Sequence, residues 1–216
     1  MNAKGLLLAV AVLASWPVSA HAVEVGIEGG MSWTIHDFDC KEPYEYDTDT
    51  RKGVRFGIFT EHDLSPHFCI DGGAYYVTTG MKYDWMLYTV ENRVNYLSMP
   101  AVLRARLAPP DEVRSGKNIS PYVFAGPRID VLLDMEIDPW FESIYEDFSR
   151  LGLGADIGVG MEILSARLEF RYGVTFTDSR PDEPLYKITT RCQSVSLKFL
   201  LPEKEASDEQ VRMQGR

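Results

Sequence analysis

Two neighbouring segments near the end of the chain alternate strictly between apolar and polar residues. In the first, 151–163, an apolar side chain holds every odd position, and glycine, aspartate or glutamate holds every even one. After Leu164 and Ser165 the alternation resumes over 166–176, with the apolar residues on even positions. A period of two is typical of β-strands with two chemically different faces. The segments therefore predict a hairpin of two long strands.

The length of these strands and the chemistry of their faces indicate a membrane. The usual strand in a globular protein has ~5 to 6 residues, whereas a strand that crosses a bilayer at a tilt needs ~9 to 11 with an uninterrupted apolar face. Both segments meet that requirement. Their other face carries glycine, threonine and charged residues, which suits a polar lumen and would be costly in an apolar core.

Six further segments follow the same period of two, which makes eight predicted strands. They are 23–34, 54–61, 68–79, 93–107, 121–133 and 189–199. The predicted fold class is all-β, an eight-stranded antiparallel up-and-down transmembrane β-barrel. Its predicted connections alternate in length, with long ones at 36–53, 80–93, 134–149 and 178–187 and shorter ones at 63–67, 108–118 and 164–165. Short inner turns and longer outer loops are typical of outer-membrane barrels.

The first residues predict export. Lys4 precedes an apolar run over 5–15, and Ala20-His21-Ala22 has the small-x-small form of a signal-peptidase site. The run is too short for a membrane-spanning helix, which needs ~20 residues. We therefore expect a signal peptide at 1–22, a barrel at 23–201 in the outer membrane of a Gram-negative bacterium, and a polar disordered tail at 202–216.

Charged residues occupy the inward parity of several predicted strands. Both signs occur among them: Arg128, Asp130, Asp156, Glu162, Arg167, Glu169 and Arg171. The lumen of an eight-stranded barrel is just wide enough for side chains to fill it, and buried charges persist when they are paired. We therefore predict a charge network that plugs the lumen. A small conducting pore is the alternative.

The whole chain carries 32 acidic and 22 basic residues, and many of the acids lie in the predicted outer loops. This balance argues against nucleic-acid binding, which needs clustered lysine and arginine. We expect solvated loops, no cofactor and no resident metal site. The alternative for the acidic loops is divalent-cation bridging to lipopolysaccharide through oxygen ligands, for which the spacing identifies no particular residues.

Four segments resemble a known family. The stretches 53–61 (GVRFGIFTE), 95–103 (NYLSMPAVL), 121–127 (PYVFAGP) and 168–172 (LEFRY) are similar to the PorT-type outer-membrane β-barrel family. The resemblance implies an eight-stranded barrel in a Gram-negative outer membrane, usually of unassigned role, with some relatives associated with protein secretion. Chains of that family commonly end on the last strand with an aromatic residue, whereas here Phe199 is followed by two leucines and a polar tail.

Three cysteines remain after removal of the signal peptide, in an oxidising compartment. In a closed barrel the last strand pairs with the first, so Cys40, just beyond the first strand, and Cys192, near the outer end of the last, are expected to meet. We predict a disulfide between them and a free thiol at Cys69, which starts the third strand at the opposite end. Three unpaired thiols are the alternative.

Catalytic motifs are sparse in this sequence. The mature chain has three histidines, of which only His36 lies on the outer side, and it contains no Gly-x-Ser-x-Gly segment. Lipid hydrolysis would need a nucleophile, a base and an orienting acid within hydrogen-bond reach. We therefore predict that the protein is not an enzyme.

The predicted outer loops carry aromatic residues, among them Trp85, Trp140 and Phe141. Such residues form either the interfacial girdle of a barrel or a contact surface. We predict a monomeric barrel surrounded by outer-membrane lipids and lipopolysaccharide, with a structural role or a protein partner bound through the outer loops. The alternative from another class is a soluble periplasmic barrel of lipocalin type, in which the apolar parity would face a ligand cavity.

Overall fold

Eight strands make up most of the computed structural model, which describes residues 23–40, 48–85, 88–116, 118–139, 150–178 and 186–201. The strands are β1 (Glu24–Cys40), β2 (Thr48–Ser65), β3 (Phe68–Trp85), β4 (Tyr88–Arg106), β5 (Ser120–Glu136), β6 (Leu151–Ile163), β7 (Ala166–Asp178) and β8 (Tyr186–Leu200). Each strand pairs antiparallel with its neighbours in the chain, and β8 pairs with β1 to close a barrel. The predicted fold class is confirmed.

Several strands extend further than the alternation predicted. The expected loop 36–53 is wrong in extent, because β1 continues to Cys40 and β2 begins at Thr48; the expected loop 80–93 is likewise mostly strand. These extensions lie at the barrel end opposite Val23 and Leu201, which we call the upper end. Beyond the apolar band neither face of a strand must be apolar, so backbone pairing continues there while the alternation that reveals it fades.

The two faces of the barrel wall have opposite chemistry. On the outside, Ile157 is 60% exposed and Phe170 is 46% exposed, whereas Arg167 and Glu169 on the inside are each 1% exposed. The apolar band is therefore external and the charged parity is internal, as predicted. This orientation overturns the lipocalin-type alternative, which required the apolar parity to line a cavity.

A short helix lies in the connection between β4 and β5, where we predicted only a loop. Helix α1 (Pro110–Arg114) has proline and acids in its first turn and is followed after Ser115 by Gly116, whose φ of +73° suits glycine. Val113 is fully buried, and both terminal guanidinium nitrogens of Arg114 bond to the carboxylate of Glu24 on β1. The helix thus attaches to the opposite end of the barrel, the lower end, where β1 begins and β8 ends. Among the described residues, no helix is long and apolar enough to cross a membrane.

Near the upper end, β3 approaches β1 across the intervening β2. The Ser32 hydroxyl donates to the Thr78 carbonyl oxygen at 3.2 Å, and the Thr34 hydroxyl donates to the Gly80 carbonyl oxygen at 3.1 Å. The pairing of β2 with β3 shifts register at this level. Gly80 has a φ of +146°, and a Cβ there would lie 2.0 Å from the Asn92 carbonyl oxygen, so glycine is required for this approach.

Candidate functional site

Among the residues that the structure describes, fourteen charged side chains are buried inside the barrel, seven acids and seven bases. They are Glu28, Glu61, Asp71, Asp130, Asp156, Glu162 and Glu169, with Arg55, Arg104, Arg106, Arg128, Arg167, Arg171 and Lys198. All seven residues that we placed in the lumen network from sequence belong to this set. The formal charges of the set cancel, which is the condition under which so many ions can be buried together.

The lower part of this set centres on Glu61 of β2. Its carboxylate accepts hydrogen bonds from Arg167, with one N–O distance of 3.0 Å, and from Arg104 at 2.5 Å. Arg167 also donates to Glu162 at 3.0 Å, and Arg106 donates to Glu61 at 3.3 Å and to Asp63. The Glu61 carboxylate therefore joins three guanidinium groups.

The middle of the lumen is held by Arg104 of β4 and Lys198 of β8. Arg104 is fully buried and donates to Asp71 and, at 3.2 Å, to Glu169, in addition to Glu61. The Lys198 ammonium lies 2.8 Å from Asp71, 3.2 Å from Glu169 and 3.5 Å from Glu28. Each of these cations thus bridges three carboxylates contributed by different strands.

The upper part continues the chain of ion pairs through Arg171 of β7. Arg171 donates to Glu169 at 3.0 Å and to Asp156 at 2.6 Å, and Arg128 donates to Asp156 and, at 3.0 Å, to Asp130. Arg128 also donates to the Thr175 hydroxyl, which donates to Asp130 at 2.7 Å. An unbroken chain of alternating charges therefore runs from Glu162 at the lower end to Asp130 in the upper half.

Four aromatic rings fill the space between these ions, and each lies against a cation. Arg55 is 3.9 Å from the Tyr75 ring centre, Arg104 is 4.6 Å from Tyr122, Arg171 is 4.7 Å from Phe124, and Lys198 is 4.7 Å from Phe59. A cation over an aromatic face is stabilised by the ring quadrupole, more strongly when both are desolvated. The rings therefore supply both volume and electrostatic stabilisation inside the lumen.

Sequence reasoning missed the inward rings of Tyr122 and Phe124 because they interrupt the polar parity of β5. The signal lies on the neighbouring strand, where Gly160 pairs with Tyr122 and Gly158 pairs with Phe124. A Cβ at either glycine would lie 2.3 Å from a carbon of the facing ring. The glycines of β6 therefore leave the space that the two lumen rings occupy. This pairing can be predicted only when the register between β5 and β6 is known.

The predicted disulfide between Cys40 and Cys192 is wrong. Cys192 pairs with Thr34, whereas Cys40 pairs with Tyr186, so six positions of β1 separate the two levels. Six residues of strand span roughly 20 Å, while bridged cysteines need Cα atoms within about 7 Å. Cys192 is a buried free thiol in the upper lumen, and Cys69 is a buried free thiol near the lower end.

The described residues contain one group that could offer three ligands to a metal ion. Atoms of Glu61, Asp63 and Cys69 lie within 4.8 Å of one another. Both carboxylates already accept hydrogen bonds from Arg106, and Glu61 also binds Arg104 and Arg167. A guanidinium cannot lose its proton, so a cation there would meet permanent positive charge.

Other residues named in the sequence analysis fall at or beyond the limits of the described structure. The side chain of His36 is not described, and Trp85 is described only as the last residue of β3, where it pairs with Tyr88. Trp140 and Phe141 lie outside the described residues, as do the predicted signal peptide at 1–22 and the predicted tail at 202–216.

At the upper rim, ion pairs are exposed rather than buried. Lys82 of β3 lies 2.5 Å from Glu91 of β4, and this hydrogen bond holds the pKa of the Glu91 carboxyl below its ordinary value. Arg51 lies 4.0 Å from the same carboxylate. Exposed pairs of this kind contribute little to stability.

Comparison with known proteins adds a family match. The family model described as "Outer membrane protein beta-barrel domain" matches residues 6–199. No curated protein matches the chain by sequence. Solved structures similar to the chain include the outer membrane protein OprG from Pseudomonas aeruginosa, with 11% identity and a TM-score of 0.45 over 83% of this chain and 96% of that one.

Two further solved structures cover the same share of the chain. The outer membrane enzyme PagL has 12% identity and a TM-score of 0.44, over 83% of this chain and 100% of that one. The Neisserial surface protein A (NspA) has 11% identity and a TM-score of 0.42, over 83% of this chain and 97% of that one. At these values the similarities carry no argument about activity.

Proposed function

Because the chain belongs to the outer membrane protein beta-barrel domain family, we propose that it is a barrel with a plugged lumen, which binds a partner through its outer loops and catalyses no reaction. The family match places the protein in the cell outer membrane. The apolar band on the outside of the barrel therefore faces lipid, the lower end faces the periplasm and the upper end faces the exterior.

The observation that carries the proposal is the neutral set of seven acids and seven bases in the lumen. A water-filled channel requires a continuous path between side chains, whereas here the ions bond to one another across the barrel. Opening such a path would separate buried partners, and removing one partner of a buried pair costs about 3 to 5 kcal/mol. The network therefore favours a closed lumen.

Both ends of the barrel support the same interpretation. At the lower end, helix α1 is tied to β1 by the Arg114–Glu24 pair. At the upper end, Ser32 and Thr34 draw β3 toward β1 across β2. These contacts hold neighbouring elements together at both ends of the barrel.

Recordings in planar lipid bilayers test the plug. We expect the purified protein to give no stable, long-lived channels, while a porin inserted into the same membrane conducts as a positive control. Long-lived openings of uniform size from the wild-type chain would contradict the plugged lumen and restore the small pore.

The binding role is proposed for the connections at the upper end, where strands β1 to β4 extend further than the alternation predicts. Trp85, Trp140 and Phe141 are the proposed contact residues.

Cross-linking on intact cells, followed by purification of the barrel, tests this role. We expect a bound protein whose recovery falls when Trp140 and Phe141 are both changed to serine. The control is Leu107→Ser, at an exposed residue of the lower end; equal recovery from both variants would contradict loop binding.

Further parts of the proposal follow from its setting in the membrane. We propose that outer-membrane lipids and lipopolysaccharide surround the barrel and that it is a monomer, which light scattering of the detergent-purified protein tests.

Placement among the PorT-type chains rests on the motifs at 95–103 and 121–127 and stays a prediction, as does a link to secretion. Absence of catalysis is tested by incubation with labelled lipopolysaccharide and phospholipid, and release of an acyl chain would contradict it.

A further inference from the structure

A small cavity lies in the upper half of the lumen, above the Arg171–Asp156 ion pair. Its volume is about 20 Å³, which is room for one or two water-sized species. The residues that line it come from β2, β3, β4, β5, β7 and β8, and include Arg55, Arg128, Asp130, Arg171, Thr190 and Cys192. The cavity is therefore enclosed by most of the barrel circumference and belongs to no single hairpin.

Four of the lining residues carry a buried polar atom without a hydrogen-bond partner in the described part of the chain. These atoms are Nη2 of Arg55, Nε of Arg171, Oγ1 of Thr190 and Oδ1 of Asp130. The residues are only 2% to 4% exposed. An unsatisfied buried polar group costs stability, so orphan atoms on four residues that line one cavity point to a bound species beside them.

The balance of charge and of donors at the cavity favours an anion. Three guanidinium groups line it against the single carboxylate of Asp130, and guanidinium groups stay protonated. Their other carboxylate partners, Glu28, Asp156 and Glu169, are not among the residues that line the cavity. Three of the four orphan atoms can donate a hydrogen bond, and only Oδ1 of Asp130 is restricted to accepting one. A metal cation would therefore face more positive than negative charge at the cavity wall.

We propose that this cavity binds one monovalent inorganic anion of halide size. The site goes beyond the proposed role of the outer loops and does not depend on it. The anion accepts hydrogen bonds from the Arg55 and Arg171 guanidinium groups and from the Thr190 hydroxyl. The volume excludes larger organic anions, and a single negative charge is the smallest departure from the balance of seven buried acids and seven buried bases.

Bromide replaces chloride as a probe that X-rays identify by anomalous scattering. Crystals of the full mature chain grown in bromide should show an anomalous peak in the cavity, within hydrogen-bond reach of Arg55 and Thr190. A cavity that holds only water, while bromide binds elsewhere or nowhere, would overturn the proposal.

A measurement in solution keeps the test independent of crystals. The midpoint of thermal unfolding in detergent is followed as bromide replaces gluconate at constant ionic strength. Because a ligand that binds the folded state stabilises it, we expect a saturable rise with bromide. An unfolding midpoint that stays constant throughout the replacement overturns the site.

A matched pair of threonine variants locates the effect. Thr190→Val removes a cavity hydroxyl without touching an ion pair, and should weaken bromide binding roughly tenfold, the value of one hydrogen bond to a charged group. Thr60→Val makes the same change at an exposed position on the outside of β2 and should bind bromide as the wild type does. Equal bromide affinity in the two variants would overturn the assignment to this cavity.

Discussion

The lower and upper halves of the lumen are built by the same eight strands but are filled differently. In the lower half, Arg104 contacts three carboxylates and Glu61 contacts three guanidinium groups. In the upper half, Arg128 is surrounded by small residues such as Ser98, Cys192 and Ser194, and the cavity opens beside it. The strands supply long charged side chains at the lower levels and short polar ones above.

This difference shows what allows a charged interior to pack. Where each ion has partners on several strands, long side chains interlock and the aromatic rings of Tyr122 and Phe59 complete the filling. Where short polar side chains such as Ser98 and Ser194 stand beside Arg128, space is left. The lower half therefore behaves as a core and the upper half as a site.

The largest expected effect comes from removing the central cation of the lower half. Arg104→Ala leaves Glu61, Asp71 and Glu169 with fewer partners at a fully buried position, so we expect a loss of about 3 to 5 kcal/mol. Arg128→Ala in the upper half should cost about 1 to 3 kcal/mol, because Arg171 still binds Asp156 and the cavity admits water. Urea unfolding in lipid vesicles measures both; equal losses would remove the distinction between the halves.

The comparison also requires that lipid shields the outside of the wall. Ile157→Arg places a charge at a 60% exposed position within the apolar band and should cost about 2 to 4 kcal/mol, whereas Leu201→Arg, just after β8 at the lower end, should cost about 0 to 1 kcal/mol. Urea unfolding in lipid vesicles measures the loss of stability in both variants. Similar small losses for both would indicate that water, not hydrocarbon, covers Ile157.

Adding one methyl group distinguishes a filled region from one with space. Gly160→Ala forces the Tyr122 ring to move and should cost about 1 to 3 kcal/mol. Ser194→Thr adds a methyl group beside the cavity and should change stability by less than about 0.5 kcal/mol. If the two variants unfold at the same urea concentration, the lower half is not packed more tightly than the upper.

The smallest effect is expected at the lower rim. Arg114→Gln breaks a half-exposed pair with Glu24 and should cost about 0 to 1 kcal/mol. Its consequence should be local, with faster hydrogen exchange across the β4–β5 connection while β6 and β7 keep their protection. Unchanged exchange in that connection would show that the ion pair does not hold helix α1 in place.

The sequence was most predictive where lipid imposes a rule on the chain. The alternation correctly predicted both ends of β6 and the first residue of β7, because every outward position in the bilayer must be apolar. Above the apolar band that rule no longer applies, so the upper ends of β1 to β4 lack the alternation and were predicted to be loops. Helix α1 was missed because five residues carry too little periodicity to recognise.

The sequence predicted which charged residues lie in the lumen, but not which of them pair with one another. Parity alone placed Arg128, Asp156 and Arg171 inside, because the side chains of a strand alternate. Which ion meets which depends on the stagger between strands, and that stagger also separated Cys40 from Cys192 by six positions where topology alone had brought them together. A single sequence specifies the faces of strands far better than their relative heights.

Some partners in the charge network lie far apart along the chain. Glu61 bonds to Arg167 across 106 residues, and Asp71 bonds to Lys198 across 127. A hairpin that enters the membrane early therefore carries ions whose counterions have not yet arrived. Insertion ahead of closure would expose bare charge to hydrocarbon, so biogenesis must bring the first and last strands together in one cooperative event, and a chain interrupted before β8 would stall outside the bilayer.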